Sequence, residues 1–587
     1  MRRYIVGLLA TVGALTLLAL GGTLSLVLGG AFSPRPLQQP IVLSVDLRRV
    51  PSESGGGDLP WGALFGGSHD IVETVQLLWQ ASEDPRVVGL FVDIGDEEAG
   101  MARVQELRQA IARFRGKGKF AVGFAESLGS GGTHVSDYYL ASALDQVWLQ
   151  PSGTFAVAGL AIETPFVREG LDKLGIKVEG GKRYEYKSAP DTFFDRAYPA
   201  PARENLQQLI DSLFGQFLAD VARERRLEPA RLRRLIDQVP LQPERARQEG
   251  LVDRVGYRTD AIEDVRARVG KNAPDLVSLA DYASDPGRPR ASGDAIALVR
   301  VSGAIMSGNR DRNPLDEDSV ANADDVVDAL EQAAAARDVK AIVLRIDSPG
   351  GTYPAADAIA DAVARARSAG KPVIVSMGDV AASGGYLAAI RGDVIVAQPT
   401  TITASIGVFG IWPVASGLLA SLGVNVERLS VGTNAGMYSV FQPPTAAQRA
   451  AVGRELDHVY AEFTRQVAET RKLDPARLDA AARGRVFSGI DARRAGLVDE
   501  LGGLQLALDI ARAKAGLDVG RPVELRAFPA QNDRWVKMLD RLLRLAGIEA
   551  SGPTIRAPRE VRDTLARLGI VARPGTVRMP PLPPLWR

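Results

Sequence analysis

Arg86-Val-Val-Gly-Leu-Phe-Val-Asp93 and Val339-Lys-Ala-Ile-Val-Leu-Arg-Ile-Asp347 read as one buried strand written twice. Each is a short apolar run, rich in β-branched residues and closed by an aspartate, as expected of a strand covered on both faces. The echo continues outward at nearly constant offset. Tyr139-Leu-Ala141 answers Tyr386-Leu-Ala388, Gln150-Pro151 answers Gln398-Pro399, and Gly250-Leu-Val-Asp253 answers Gly496-Leu-Val-Asp499. A period of roughly 250 residues is too long for a solenoid and means two homologous domains. Within each copy, strand-like runs such as 341–346, 372–376 and 393–397 alternate with alanine-rich amphipathic stretches such as 355–369. That alternation predicts an α/β fold, with helices covering buried strands. The expected organisation is an N-terminal segment (1–35), a first repeat (36–285), a second repeat (286–527) and a tail (528–587), with the Asp/Pro/Gly/Arg-rich stretch 282–294 as the linker.

Residues 4–32 carry no charge and exceed the roughly 20 residues that a helix needs to cross a bilayer. A cleaved secretory signal has a shorter apolar core, so the reading is a retained single-pass transmembrane helix. Arg2 and Arg3 before it keep the N-terminus in the cytoplasm and send the rest of the chain to the periplasmic or extracytoplasmic side of the inner membrane. The Pro-rich stretch 34–40 reads as a stiff spacer. At the other end, a basic amphipathic patch at 534–545 and a Pro-rich terminus at 579–587 read as a packing or capping tail. With 71 Lys+Arg against 70 Asp+Glu there is no overall field to attract nucleic acid. The absence of cysteine removes thiolate chemistry, and three scattered histidines make a poor start for a metal centre or a Ser-His-Asp triad.

The chemistry concentrates in the second repeat. Val343-Leu-Arg-Ile-Asp-Ser-Pro-Gly-Gly351 ends a strand in two glycines before a helix, a turn whose backbone N–H groups can approach an anion without a Cβ in the way. Ser376-Met-Gly-Asp-Val-Ala-Ala-Ser-Gly-Gly-Tyr386 then sets Ser383 between two alanines and two glycines. Its hydroxyl is accessible, and the Gly384 N–H faces the expected donors Gly350 and Gly351 across an oxyanion site. A serine nucleophile needs a base, and His458 sits in a helix pattern where packing is the better reading. Lysine can serve when burial depresses its pKa. No lysine lies between 372 and 471, but the first repeat holds Tyr184-Glu-Tyr-Lys187-Ser-Ala-Pro190, whose counterpart near Gly432-Thr-Asn-Ala435 has no basic residue. The loss is reciprocal. In the first repeat the Ser-Pro-Gly-Gly position reads Ile94-Gly-Asp-Glu97, and the aligned Ser136 is followed by Asp137 and Tyr138. Ser130-Gly-Gly132 with His134 offers a second serine-histidine pair, but one without a Gly-Gly turn. Two rivals to a Ser383-Lys187 peptidase remain open: a crotonase-type acyl-CoA enzyme, and an inactive peptide-binding scaffold at the membrane.

Asp347-Ser-Pro-Gly-Gly351, Ala381-Ala-Ser-Gly-Gly-Tyr386, Ala404-Ser-Ile-Gly407 and Tyr186-Lys-Ser-Ala189 together resemble the long, two-repeat form of bacterial signal peptide peptidase A, also called protease IV. The resemblance covers nearly the whole chain except the Pro-rich end. It implies tandem Clp-protease/crotonase-like repeats, a Ser-Lys dyad split between them, remnant signal peptides as substrates, and a homotetramer shaped as a bowl. It also implies that Ser405 helps position the lysine amine. Neither the residues nor the resemblance require a cofactor.

Overall fold

The apolar, β-branched runs become parallel strands, because strands buried on both faces need covering helices, and the connections that supply them bring successive strands in side by side. The computed structural model describes residues 36–53, 69–95, 97–129, 135–270, 275–290, 293–308, 320–518 and 523–529. The apolar stretch 4–32, the Ser130-Gly-Gly132 and His134 alternative, and the tail patches lie outside the described residues. Among the described residues no helix is long and apolar enough to cross a membrane.

The first repeat supplies β1 (Ile41–Leu47), β2 (Val87–Ile94), β3 (Phe120–Ala125), β4 (Gln146–Leu149), β5 (Lys177–Arg183), β6 (Arg254–Val255) and β7 (Val277–Ser278). All but β5 form one parallel sheet in the order β6-β4-β3-β2-β1-β7. The second repeat supplies β8 (Ala295–Ser302), β9 (Ala304–Met306), β10 (Val320–Asn322), β11 (Val339–Ser348), β12 (Val373–Ala382), β13 (Val394–Ala397), β14 (Ile402–Ala404), β15 (Val408–Val414), β16 (Val486–Ser488), β17 (Glu500–Leu501) and β18 (Glu524–Phe528). Its main sheet runs β16-β14-β12-β11-β8-β18, with β13 beside β12 and β17 beside β13. The duplicated strands β2 and β11 both lie inside their sheets, as their unbroken apolar character predicts.

The two sheets share one hydrophobic cluster. Ile41, Leu43, Val45 and Leu47 of β1 belong to it, and so do Ile296 and Leu298 of β8, while the alternate residues of β8 face a separate cluster. Helix Met101–Gly116 of the first repeat brings Val104, Leu107 and Ile111 into that cluster, where Leu504 and Leu508 of helix Leu504–Lys514 also lie. A polar tie runs beside it. Arg345 on β11, 1 % exposed, donates to Glu53 at 2.5 and 3.0 Å and to Glu106 at 2.6 Å, both from the first repeat. Two buried carboxylates from the first repeat around one buried guanidinium from the second fix how the repeats meet, because both carboxylates would be left uncompensated in the interior if the repeats parted.

One strand from each repeat pairs with a strand of the other. β5 pairs antiparallel with β15, from Val408 opposite Arg183 to Val414 opposite Lys177. This ribbon delivers the chain after Arg183 to the second repeat.

Candidate active site

Ser383 sits at the corner where β12 ends and helix Gly384–Ala389 begins. Its φ of 54° lies in the left-handed region, costly for a residue with a side chain and typical of positions held by function. The corner is held by its neighbours, since the Ser383 N–H donates to the Ala404 carbonyl at 2.7 Å. The glycines around it are required by contact. A Cβ on Gly350, itself at φ +105°, would lie 2.7 Å from the Gly384 nitrogen and 2.8 Å from the Ser383 Cβ. One on Gly384 would lie 3.0 Å from the Gly351 nitrogen. The two Gly-Gly turns are therefore pressed together backbone to backbone beside the Ser383 side chain. Gly384 is the first residue of its helix, so its N–H has no place in the helical ladder and is available to a ligand. Gly350 differs from the expectation, because its N–H donates to Ser348 Oγ at 3.1 Å. The hydroxyl of the Ser-Pro-Gly-Gly motif occupies that donor, which leaves Gly351 as the glycine of the turn whose nitrogen faces Gly384.

Lys187 reaches this corner from the end of the β5–β15 ribbon. Its Nζ lies 3.0 Å from Ser383 Oγ, 3.0 Å from Ser405 Oγ and 3.0 Å from the Ser405 carbonyl oxygen. The lysine is 3 % exposed, and among the described residues no carboxylate forms an ion pair with it. Burial without a counter-charge penalises the ammonium form and lowers its pKa to about 7. Ser405 also has positive φ, 50°, following Ala404 at 67°. Backbone strain thus clusters at Ser383 and Ser405, which contact the amine, and at Ala404, whose carbonyl holds the Ser383 N–H.

The first repeat has the same corner with different contents. Helix Ser136–Ala141 corresponds to Gly384–Ala389, and Tyr138 Oη donates to the Leu251 carbonyl as Tyr386 Oη does to that of Leu497. Leu251 and Leu497 stand at the same place in the duplicated Gly-Leu-Val-Asp, so Tyr138, not Tyr139, is the partner of Tyr386. The serine alignment shifts by one residue with it. Val135 occupies the position of Ser383, and Ser136 that of Gly384. The Ser136 hydroxyl accepts the Ala99 N–H at 3.2 Å and is 2 % exposed. No acyl chemistry can start from a valine, and the nearby serine is buried in a structural hydrogen bond.

Comparisons with known proteins agree with this duplicated architecture. The model of peptidase family S49 matches residues 127–272 and 365–518, once in each repeat. The chain belongs to peptidase family S49. The Clp protease model matches residues 315–407, the part of the S49 fold that carries β11, β12 and the Ser383 corner. Protease 4 of Haemophilus influenzae is 31% identical over 457 residues, covering 75% of this chain and 72% of the relative. Protease 4 of Salmonella typhi is 32% identical over 460 residues, with 75% and 72% covered. The chloroplastic serine protease SPPA of Arabidopsis thaliana is 28% identical over 513 residues, covering 83% of this chain and 74% of that one. This S49 chain is a serine protease on a Clp protease-like α/β fold, and the acyl-CoA alternative falls away. Among the described residues no group of His, Asp and Glu is arranged to hold a metal ion.

Two sets of residues in this S49 site escaped the sequence reading. Ser348 belongs to the Ser-Pro-Gly-Gly motif, but its hydrogen bond to Gly350 has no signature in sequence. Arg483 and Gly484 lie nearly 300 residues from Lys187 in the chain yet touch its segment directly, with Glu185 accepting from Arg483 at 2.9 Å. The one signal available was a glycine between two arginines just after a helical stretch.

Proposed function

We propose that this S49 protease is a membrane-anchored endopeptidase that degrades hydrophobic peptides, remnant signal peptides among them, by a serine-lysine dyad split between its repeats. The observation that carries this reading is the approach of Lys187 Nζ to Ser383 Oγ at 3.0 Å inside a pocket that disfavours the ammonium ion. A neutral amine has two N–H groups and one lone pair. With both N–H groups given to the carbonyl and hydroxyl oxygens of Ser405, the lone pair is left for the Ser383 proton. Ser405 is thus assigned the orientation of the base.

In the proposed cycle Lys187 takes the Ser383 proton as Oγ attacks the peptide carbonyl. The oxyanion is stabilised by the N–H groups of Gly384 and Gly351, while Gly350 shapes the turn and is held by Ser348. The charged Lys187 then protonates the leaving amine, and water repeats the steps on the acyl-enzyme. Closed, dry surroundings make each of these interactions stronger than it would be in water.

The membrane assignment rests on residues 4–32, which would tether the repeats (36–285 and 286–527) on the extracytoplasmic side near hydrophobic substrates. The proposed homotetramer has support in the duplication. Gln150 corresponds to Gln398, an offset of 398 − 150 = 248, so residues 425–431 stand in the second repeat where β5 stands in the first. In this segment Leu429 and Val431 are 95 % and 99 % exposed, apolar residues unpaired in the single chain. Ring closure between chains would cover them.

The experiment is hydrolysis of a fluorogenic hydrophobic peptide by detergent-solubilised enzyme, comparing wild type with Ser383→Ala and Lys187→Ala. Loss of activity in both is the expected result, and full activity of Lys187→Ala overturns the dyad. Mixing the two inactive variants should restore nothing, since base and nucleophile meet within one chain.

A further inference from the structure

Three consecutive residues of the first repeat lie against three consecutive residues of the second. Glu185 accepts two hydrogen bonds from the Arg483 guanidinium, at 2.9 and 3.1 Å. The Tyr186 N–H donates to the Arg483 carbonyl at 3.2 Å, and the Tyr186 ring lies 3.7 Å beneath the Arg485 guanidinium. Lys187 packs on Gly484, where any Cβ would collide with the lysine backbone, and Gly484 has a φ of +87° besides. Glu185-Tyr186-Lys187 and Arg483-Gly484-Arg485 therefore match residue against residue across the repeat boundary.

The same three residues also hold the other side of the amine. The Gly484 N–H donates to the Ile406 carbonyl at 2.8 Å, and the Arg485 carbonyl accepts the Ser405 N–H at 2.9 Å. Lys187 and Ser405, which come from different repeats, are thus both fastened to one short segment. That segment is anchored in turn. Asn205, on the long helix Ala200–Arg225 of the first repeat, exchanges two 2.9 Å hydrogen bonds with the Val486 backbone. The Arg483 N–H donates to Tyr460 Oη at 3.1 Å.

Two guanidinium groups beside a lysine that must lose its proton would be natural, but each is turned to other partners. Arg483 is shared between Glu185 and Asp479 (3.0 Å) and lies over the Tyr184 ring. Arg485 stacks on Tyr186 and lies 3.6 Å from Glu204. Both cations are therefore used in gripping the residues on either side of Lys187, with their charge met by carboxylates.

We propose that Arg483-Gly484-Arg485 is a lysine-positioning clamp, which fixes the Lys187 amine between Ser383 and Ser405 and keeps water from it. The proposal rests on Lys187 being the base. Arg483 and Glu185 act through Lys187 and are positioning residues, not catalytic ones. A loosened clamp lets the amine drift and become hydrated, so both the rate and the protonation of the base should change.

The test is a pH profile of kcat and KM on the detergent-solubilised full chain for Arg483→Gln, Glu185→Gln and the double variant, with Lys187→Ala alongside. Rates are taken per folded enzyme, counted from near-ultraviolet circular dichroism. Each single variant should lower kcat about 10- to 100-fold with KM nearly unchanged, the cost of a displaced catalytic group. The acid limb should move to higher pH, as the better-hydrated lysine holds its proton longer. The double variant should be no worse than the worse single one, because both remove one contact. Arg483→Lys, which keeps the charge but loses the fork, should fall between. If Lys187→Ala is inactive while Arg483→Gln and Glu185→Gln keep wild-type kcat and acid limb per folded enzyme, the clamp is wrong and the dyad stands. If Lys187→Ala stays active, the dyad itself is wrong and the clamp falls with it.

Discussion

Val135 and Ser383 occupy the same corner of the same fold, and the surroundings show how a duplicated site divides its labour. At the second corner a strained serine faces two Gly-Gly turns packed without side chains. At the first, a valine stands in the serine's place, and the adjoining Ser136 accepts the Ala99 N–H of the turn that would otherwise face a ligand. The two closing aspartates differ as well. Asp93 of β2 is itself buried, and it is held at 2.6 and 2.7 Å by Arg258, whose side chain is nearly half exposed. Asp347 of β11 is half-buried near Glu53 and Asp379, and desolvation together with these like charges pushes its carboxyl up to about 6. One copy keeps its acidic residue satisfied and its corner filled. The other accepts strain and unfavourable charge at the proposed place of chemistry.

The largest break in this comparison should come from the dyad. Ser383→Ala and Lys187→Ala are each expected to lower kcat about a thousandfold or more in the peptide assay. In wild type kcat/KM should rise with pH through about 7, where Lys187 becomes neutral, and level off above. Next comes the tie between the copies. Arg345→Met strands Glu53 and Glu106 in the interior and should cost about 3–5 kcal/mol in denaturant unfolding. The two aspartates should then respond with opposite sign. Because the native Asp347 carboxyl titrates above its ordinary value, the folded protein binds more protons than the unfolded chain between pH 3.8 and about 6, so its penalty is full above that window and absent below it. Asp347→Asn should therefore stabilise the protein by about 1–3 kcal/mol at pH 8, with the gain vanishing near pH 3. Asp93→Asn should cost about 0.2–1 kcal/mol, the usual worth of a half-exposed ion pair. Smallest of all, Ser136→Ala should leave kcat/KM unchanged, and a large loss there would mean that the first corner still takes part in the reaction.

Much of this was legible in the sequence because duplication supplied an internal control. Ser383 stood out by its small neighbours and Lys187 by the missing basic residue at its counterpart, and both readings need only local spacing. The one-residue slip at Ser136 arose from the Tyr138-Tyr139 doublet, where either ring can be matched to Tyr386 by letters alone. Only the hydrogen bond to Leu251, far along the chain, separates them. The β5–β15 ribbon and the Arg483 segment were invisible for the same reason, since nothing local tells a strand to leave its sheet and pair with the other repeat. The hydrogen bond from the Gly350 N–H to Ser348 was not legible, because a motif reveals a glycine's freedom but not which neighbouring hydroxyl its N–H meets.

The position of β18 bears on when the enzyme is born. Glu524–Phe528 lies beside β8, the strand that opens the second repeat, so one edge of the sheet that supports Ser383 is a segment made more than 140 residues after that serine. The lysine waits as well, since β5 needs β15 and the Lys187 segment needs Arg483-Gly484-Arg485, so base and nucleophile both reach their places only after most of the second repeat has been made.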